Sequence, residues 1–139
     1  DIRICGESSR FGAPISKLGL VMGFKELGAL RDLVGNAGAL EILLEGRILE
    51  APEALQKGIV SRIVADDAVE AEAMATARRI ADGAPLVHRW HRKFLGRLAD
   101  PKPLSKDEIK EAYACFDTED FKTGYQAFLD KKKPDFEGR

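Results

Sequence analysis

Apolar positions along the 139-residue chain change their rhythm near residue 66. Before it the pattern is mixed. Ile2 and Ile4 flank Arg3 with the period of two that marks a short strand. Phe11, Gly12, Ala13 and Pro14 form a tight turn, followed by a short extended run and by Gly23, which opens a helix. Leu27, Leu30, Leu33 and Val34 share one face of a helix predicted over 24–34. Gly35 is expected to end it and Asn36 to cap the next, over 37–44, which Gly46 stops. A shorter helix follows over 51–57, with Pro52 in its first turn and Gly58 past its end. Residues 59–64 then alternate as a strand does.

From Asp66 onward helical spacing takes over, interrupted at 83–85 and 101–103. Val69, Ala73, Ala77 and Ile80 mark a helix over 67–81. Leu86, Trp90, Phe94 and Leu98 form an i, i+4 ladder over 85–99. Ser105 followed by Glu108 is a capping box, so a further helix should begin there. The last helix, 119–131, carries Phe121, Tyr125, Phe128 and Leu129 on one side. Each such side chain, once buried, stabilises by about 1.5–3 kcal/mol. Four short helices hold more apolar stripe than they can bury among themselves, which points to self-association; the same stripe would also serve as ordinary core.

Composition adds exclusions. The chain is 45% hydrophobic and 32% charged, with 22 Lys+Arg against 23 Asp+Glu and a net charge of -1. Such balance offers no global attraction to nucleic acid or to an anionic membrane, and no apolar run is long enough to span a bilayer. Arg89, Arg92, Lys93 and Arg97 surround His88 and His91. This stripe reads as a solvated or salt-bridged face, and its cations oppose metal binding by the two histidines. Cys5 and Cys115 lack metal or redox spacing and suit a reducing, cytoplasmic setting. The sequence starts at Asp1 in what reads as the middle of a strand, so a piece of a longer protein is expected.

Three segments carry a resemblance: RFGAPISKLGLVMG over 10–23, LLEGRILEAPEALQKGIVSRIV over 43–64, and CFDTEDFKTGYQAFLDKKKPDF over 115–136. In this order they resemble the C-terminal half of the crotonase (enoyl-CoA hydratase/isomerase) superfamily. In the middle segment Gly46, Ile48, Ala51, Ala54, Gly58 and Val60 all stand where that family's pattern has them. In the last, Thr123 and Lys132 depart from its usual glutamate and arginine. The resemblance implies an α/β protein with a β-β-α spiral core. Residues 1–66 would be the end of that core and 67–139 a helical region that mediates trimer or hexamer formation. This half would be mainly α-helical with a few short strands, and inactive alone.

The resemblance also implies chemistry on an acyl-CoA thioester. Two backbone N–H groups of an oxyanion hole would stabilise an enolate, with coenzyme A part of the substrate and no other cofactor. Both donors and a first catalytic glutamate would lie ahead of Asp1. The second hydratase glutamate falls on Ile15, which carries no proton, and an aspartate used by some isomerases falls on Gly23. Met22, Gly23 and Phe24 replace part of a glycine-rich stretch, so Ile15, Met22, Gly23 and Phe24 are expected to line the acyl pocket. Glu26 is the remaining acid there, at a position a helix dipole also favours. Lys131 matches a lysine that approaches the CoA nucleotide of a neighbouring subunit, while its aromatic companion aligns with Ala112. Because Ile15 removes one hydratase acid, isomerase, lyase or single-carboxylate chemistry competes with hydration. The alternative is a non-catalytic acyl-CoA-binding or assembly module.

Overall fold

The computed structural model describes residues 1–139, which form two compact units, Asp1–Ala75 and Thr76–Arg139. The first is organised by two short strand pairs. Strand β1 (Ile4–Gly6) runs parallel to β4 (Arg62–Val64), in the register Ile4↔Arg62 and Cys5↔Ile63. Strand β2 (Arg10–Phe11) pairs antiparallel with β3 (Leu49–Glu50), in the register Phe11↔Leu49. Helix α2 (Ala51–Gln56) follows β3 directly, with Pro52 in its first turn. Its Ala51 and Ala54 are wholly buried among Cys5, Val60 and the partly buried Phe11 and Ile63. Two alanines let this helix approach the strands closely, so the alanine spacing in the sequence motif is a packing requirement.

The predicted strand over 59–64 shortens to its last three residues for a traceable reason. The N–H groups of Ile59 and Val60 both donate to the Ala54 carbonyl, at 2.8 and 3.4 Å, and complete the end of α2 instead of a ladder. Arg3 reinforces the same end, its guanidinium donating to the carbonyls of Ile59 (2.6 Å) and Gly58 (3.2 Å). The extended run expected after Pro14 is instead a 3₁₀ turn, Pro14–Leu18. Pro14 presets the helical φ at its start, and the Gly19 and Leu20 N–H groups close it onto Ser16 and Ile15.

Helix α1 (Phe24–Glu45) contains the predicted break. Gly35 alone is non-helical, at φ 74° and ψ 169°, a conformation essentially confined to glycine. Asn36 already takes helical angles, so the expected cap at Asn36 is not formed and Gly35 itself marks the junction. Past the helix, Arg47 bonds Glu45 at 2.6 Å and also Glu53, while Lys57 bonds Glu41 at 2.7 Å. This exposed network joins the end of α1 to α2. Hydrogen bonds from Lys57 and Arg47 respectively hold the Glu41 and Glu53 carboxyls below the usual range.

Helix α3 (Val69–Ala81) leads into the second unit, which holds α4 (Pro85–Leu98), α5 (Lys106–Glu111), a 3₁₀ turn at Ala114–Asp117 and α6 (Glu119–Asp130). The capping box at Ser105 is complete. The Glu108 N–H donates to the Ser105 hydroxyl at 3.2 Å, and the Ser105 N–H to the Glu108 carboxylate at 2.7 Å. Two cations of the basic stripe are taken up within the chain: Arg97 pairs with Glu108 and Lys93 with Glu111 (2.5 Å). His88 holds the Ile80 carbonyl at 2.9 Å. Of the i, i+4 ladder, Leu86, Trp90 and Phe94 are half-buried but Leu98 is exposed, and on α6 Phe128 is 81% exposed.

The Glu108 geometry has a pH consequence. Arg97 first, and then the Ser105 N–H, push its carboxyl down from 4.5 to about 2. A depressed folded-state pKa stabilises fully above the unfolded value, and that contribution drains away as pH falls from 4.5 towards about 2. The Glu108→Gln variant should therefore differ most from the parent in thermal midpoint at neutral pH, and the two should converge near pH 2. A constant gap across that window would show that the ionised carboxylate contributes nothing specific.

Candidate functional site

The residues singled out from the sequence fall into two groups, one in each unit. In the first, Ile15 sits in the 3₁₀ turn directly after Pro14, half-buried, and its carbonyl accepts the Leu20 N–H at 3.2 Å. The turn rests beside the far end of α1, because Ser16 and Pro14 lie within reach of any side chain placed at Gly46. Gly23 is the N-cap of α1, extended at φ -67° and ψ 163°. Met22 before it is half-buried, and Phe24 after it is 95% exposed.

Glu26 lies in the first turn of α1 and makes no side-chain hydrogen bond. Its carboxylate folds back over the N-cap, so that a Cβ on Gly23 would stand 2.6 Å from Oε2. The acid thus occupies space that any larger residue at 23 would claim. The position is one where a negative charge complements the helix dipole. Chemically this end of the helix offers one anionic oxygen able to accept a proton, beside the apolar Met22 and Phe24. Neither Ile15 nor Gly23 supplies a second.

Lys131 belongs to the other unit. It is the C-cap of α6 and the chain's non-glycine residue at positive φ (55°). Its N–H donates to Phe128 at 3.3 Å, and the Lys132 N–H to Ala127 at 2.9 Å, so the turn satisfies the last carbonyls of the helix. A left-handed conformation costs a residue that carries a Cβ about 1–2 kcal/mol relative to the right-handed one, a cost glycine escapes. Lys131 is exposed and enters no ion pair, whereas Lys133 bonds Asp82 at 2.8 Å. Ala112 caps the end of α5 and lines an apolar cleft of about 300 Å³ together with Phe94, Leu98, Leu104, Ile109 and Tyr113.

A small-residue helix packed on paired short strands, followed by four helices with exposed apolar faces, is the α/β arrangement that the chain shares with solved enoyl-CoA hydratase/isomerase structures of the crotonase fold. The enoyl-CoA hydratase/isomerase family model matches residues 1–139, and the chain belongs to that family. An enoyl-CoA hydratase/carnithine racemase from Magnetospirillum magneticum superposes over the whole chain with a TM-score of 0.96 at 51% identity, and 52% of that chain is covered. A Bacillus subtilis (strain 168) protein named "Probable enoyl-CoA hydratase" is 36% identical over 99% of this chain and 54% of its own length. A short-chain-enoyl-CoA hydratase of Clostridioides difficile is 34% identical over 92% of this chain and 84% of its own. The chain spans about half the length of the first curated relatives it matches.

Sequence reasoning missed three things here. The Arg47 network escaped it because its acids lie at irregular spacing across two helices. The β2–β3 pair is too short for any period to register. The buried Asp120 looked like any first-turn acid, although its place in the C-terminal motif was a usable signal.

Proposed function

We propose that the full-length protein acts on an acyl-CoA thioester, polarising the thioester carbonyl with two backbone N–H groups supplied outside this chain and stabilising an enolate-like oxygen. The observation that supports this reading is the family match across every residue, alongside relatives named as enoyl-CoA hydratases. Within this chain Ile15, Met22, Gly23 and Phe24 would face the acyl group, and Glu26 would be the proton acceptor closest to it. Because Ile15 holds no acid, isomerase, lyase or single-carboxylate chemistry competes with two-glutamate hydration. Coenzyme A enters as part of the substrate, with no other cofactor.

Lys131 would face the CoA phosphates, held there at a backbone cost that its side chain must justify. The exposed Leu95, Leu98 and Phe128 suit a homotrimer or hexamer, two free cysteines suit a cytoplasmic setting, and an acyl-CoA substrate would place the protein in fatty acid metabolism. The same lack of acids supports a second reading, an acyl-CoA-binding module without turnover.

Kinetics of the full-length protein with crotonyl-CoA and with crotonyl-pantetheine, which lacks the nucleotide, test both. Lys131→Ala should raise KM about tenfold for the CoA thioester, the loss of one phosphate contact, and leave the pantetheine thioester unchanged. Equal effects on both substrates would remove Lys131 from the nucleotide site. Tight binding of acyl-CoA with no turnover of any enoyl isomer would establish the second reading.

A further inference from the structure

The C-terminal segment does not trail away from α6 but returns to its start. Asp120, in the first turn of α6, is 4% exposed and enters no ion pair. Instead it accepts backbone N–H groups from the end of the chain: Glu137 at 2.9 Å on Oδ1, and Gly138 at 3.2 Å on Oδ1 and 3.0 Å on Oδ2. The Asp120 N–H answers by donating to the Arg139 main-chain oxygen at 2.9 Å. Two further contacts seat the same segment. The Phe136 ring lies so close to Gly124 that a Cβ there would stand 3.2 Å from it, and Gly138, at φ 78°, passes over Pro85. Lys133 adds its ion pair with Asp82.

These contacts form a strap that joins both ends of one helix. From Asp120 to Lys131 the helix axis rises about 16 Å. The chain from Lys131 to Glu137 reaches about 20 Å when fully extended. The strap therefore has only a few ångströms of slack, and the direction in which the chain leaves Lys131 is fixed by where Glu137 is held. A lysine in a left-handed turn needs such support, since the turn is not the backbone's own preference.

We infer that Asp120 is a positioning residue that, by clasping Glu137 and Gly138, holds the Lys131 turn in place for the nucleotide end of the substrate. This rests on the reading of Lys131 given above. Asparagine at 120 keeps the volume, but one of the two accepting oxygens becomes a donor that cannot receive an N–H. Removing one partner from a buried charge-assisted bond leaves the others unsatisfied.

The test uses the full-length protein with Asp120→Asn, and separately Phe136→Ala, which loosens the strap without touching the carboxylate. Amide hydrogen exchange and the two-substrate kinetics are both read. The expected result is faster exchange at Glu137 and Gly138 by about tenfold or more, with KM raised for crotonyl-CoA, kcat kept, and crotonyl-pantetheine unaffected. Protected strap amides in both variants, or a released strap with unchanged KM for crotonyl-CoA, would overturn the inference. Should Lys131→Ala alone raise the CoA KM while the released strap does not, the clasp fails and the Lys131 reading survives. Should neither alter discrimination between the substrates, the Lys131 reading falls and the positioning role with it.

Discussion

Glutamate at position 15 is expected to give the full-length protein hydratase activity on crotonyl-CoA about 10²–10⁴-fold above its own background, the range a well-placed general acid or base supplies. The local structure tolerates the change. Ile15 is half-buried in a 3₁₀ turn, its backbone is held by the Leu20 N–H and by Pro14 before it, and neither restraint involves its side chain. A carboxylate can thus stand there without losing contact with water, so burial would not neutralise it. With two acids present, the pH dependence of kcat/KM should gain a second ionisation that the parent lacks. The control is Ile15→Gln, which matches the volume and carries no titrating group. Equal rates for the glutamate and glutamine variants, both folded, would show that the acid at 15 is not what separates this chain from its hydratase relatives.

The elements that could be read from the sequence are those whose cause is local. Gly35 broke its helix where expected because glycine alone tolerates that backbone geometry, and the Ser105 box formed because its two hydrogen bonds lie within four residues. Backbone closures that no side-chain signal marks were missed. The strand at 59–64 lost its first half because Ala54, in another element, takes the N–H groups of Ile59 and Val60. The run after Pro14 turned because Gly19 and Leu20 could close back on it. At the candidate site, residue identity was legible and placement was not. That Ile15 lacks a proton is plain from its letter, whereas the fold of the Glu26 carboxylate over Gly23 depends on the empty space a glycine leaves. The same holds for Asp120, whose two backbone donors, Glu137 and Gly138, lie seventeen and eighteen residues away along the chain.

Leu49→Ala should be the most destabilising single truncation in the first unit, by about 2–5 kcal/mol. Leu49 is 1% exposed and is the one large side chain of the chain that is fully buried, whereas its neighbours on either side, Ile48 and Glu50, both face solvent. That alternation is the strand period compressed into three residues, and it places Leu49 opposite Phe11 in the β2–β3 pair. Its cross-strand partner Phe11 is partly buried against the neighbouring cluster of Cys5, Ala51, Ala54 and Val60. Where the cost falls in that range depends on how far the site collapses around the cavity. Against a typical domain stability of about 5–15 kcal/mol, such a loss is a large share of the whole. Ile48→Ala is the matched comparison. It removes a similar side chain that is 48% exposed and should cost far less. Thermal and urea unfolding of the two variants decides the matter. Equal losses would mean that the site around Leu49 collapses on truncation and that its burial adds nothing specific to the stability of this unit.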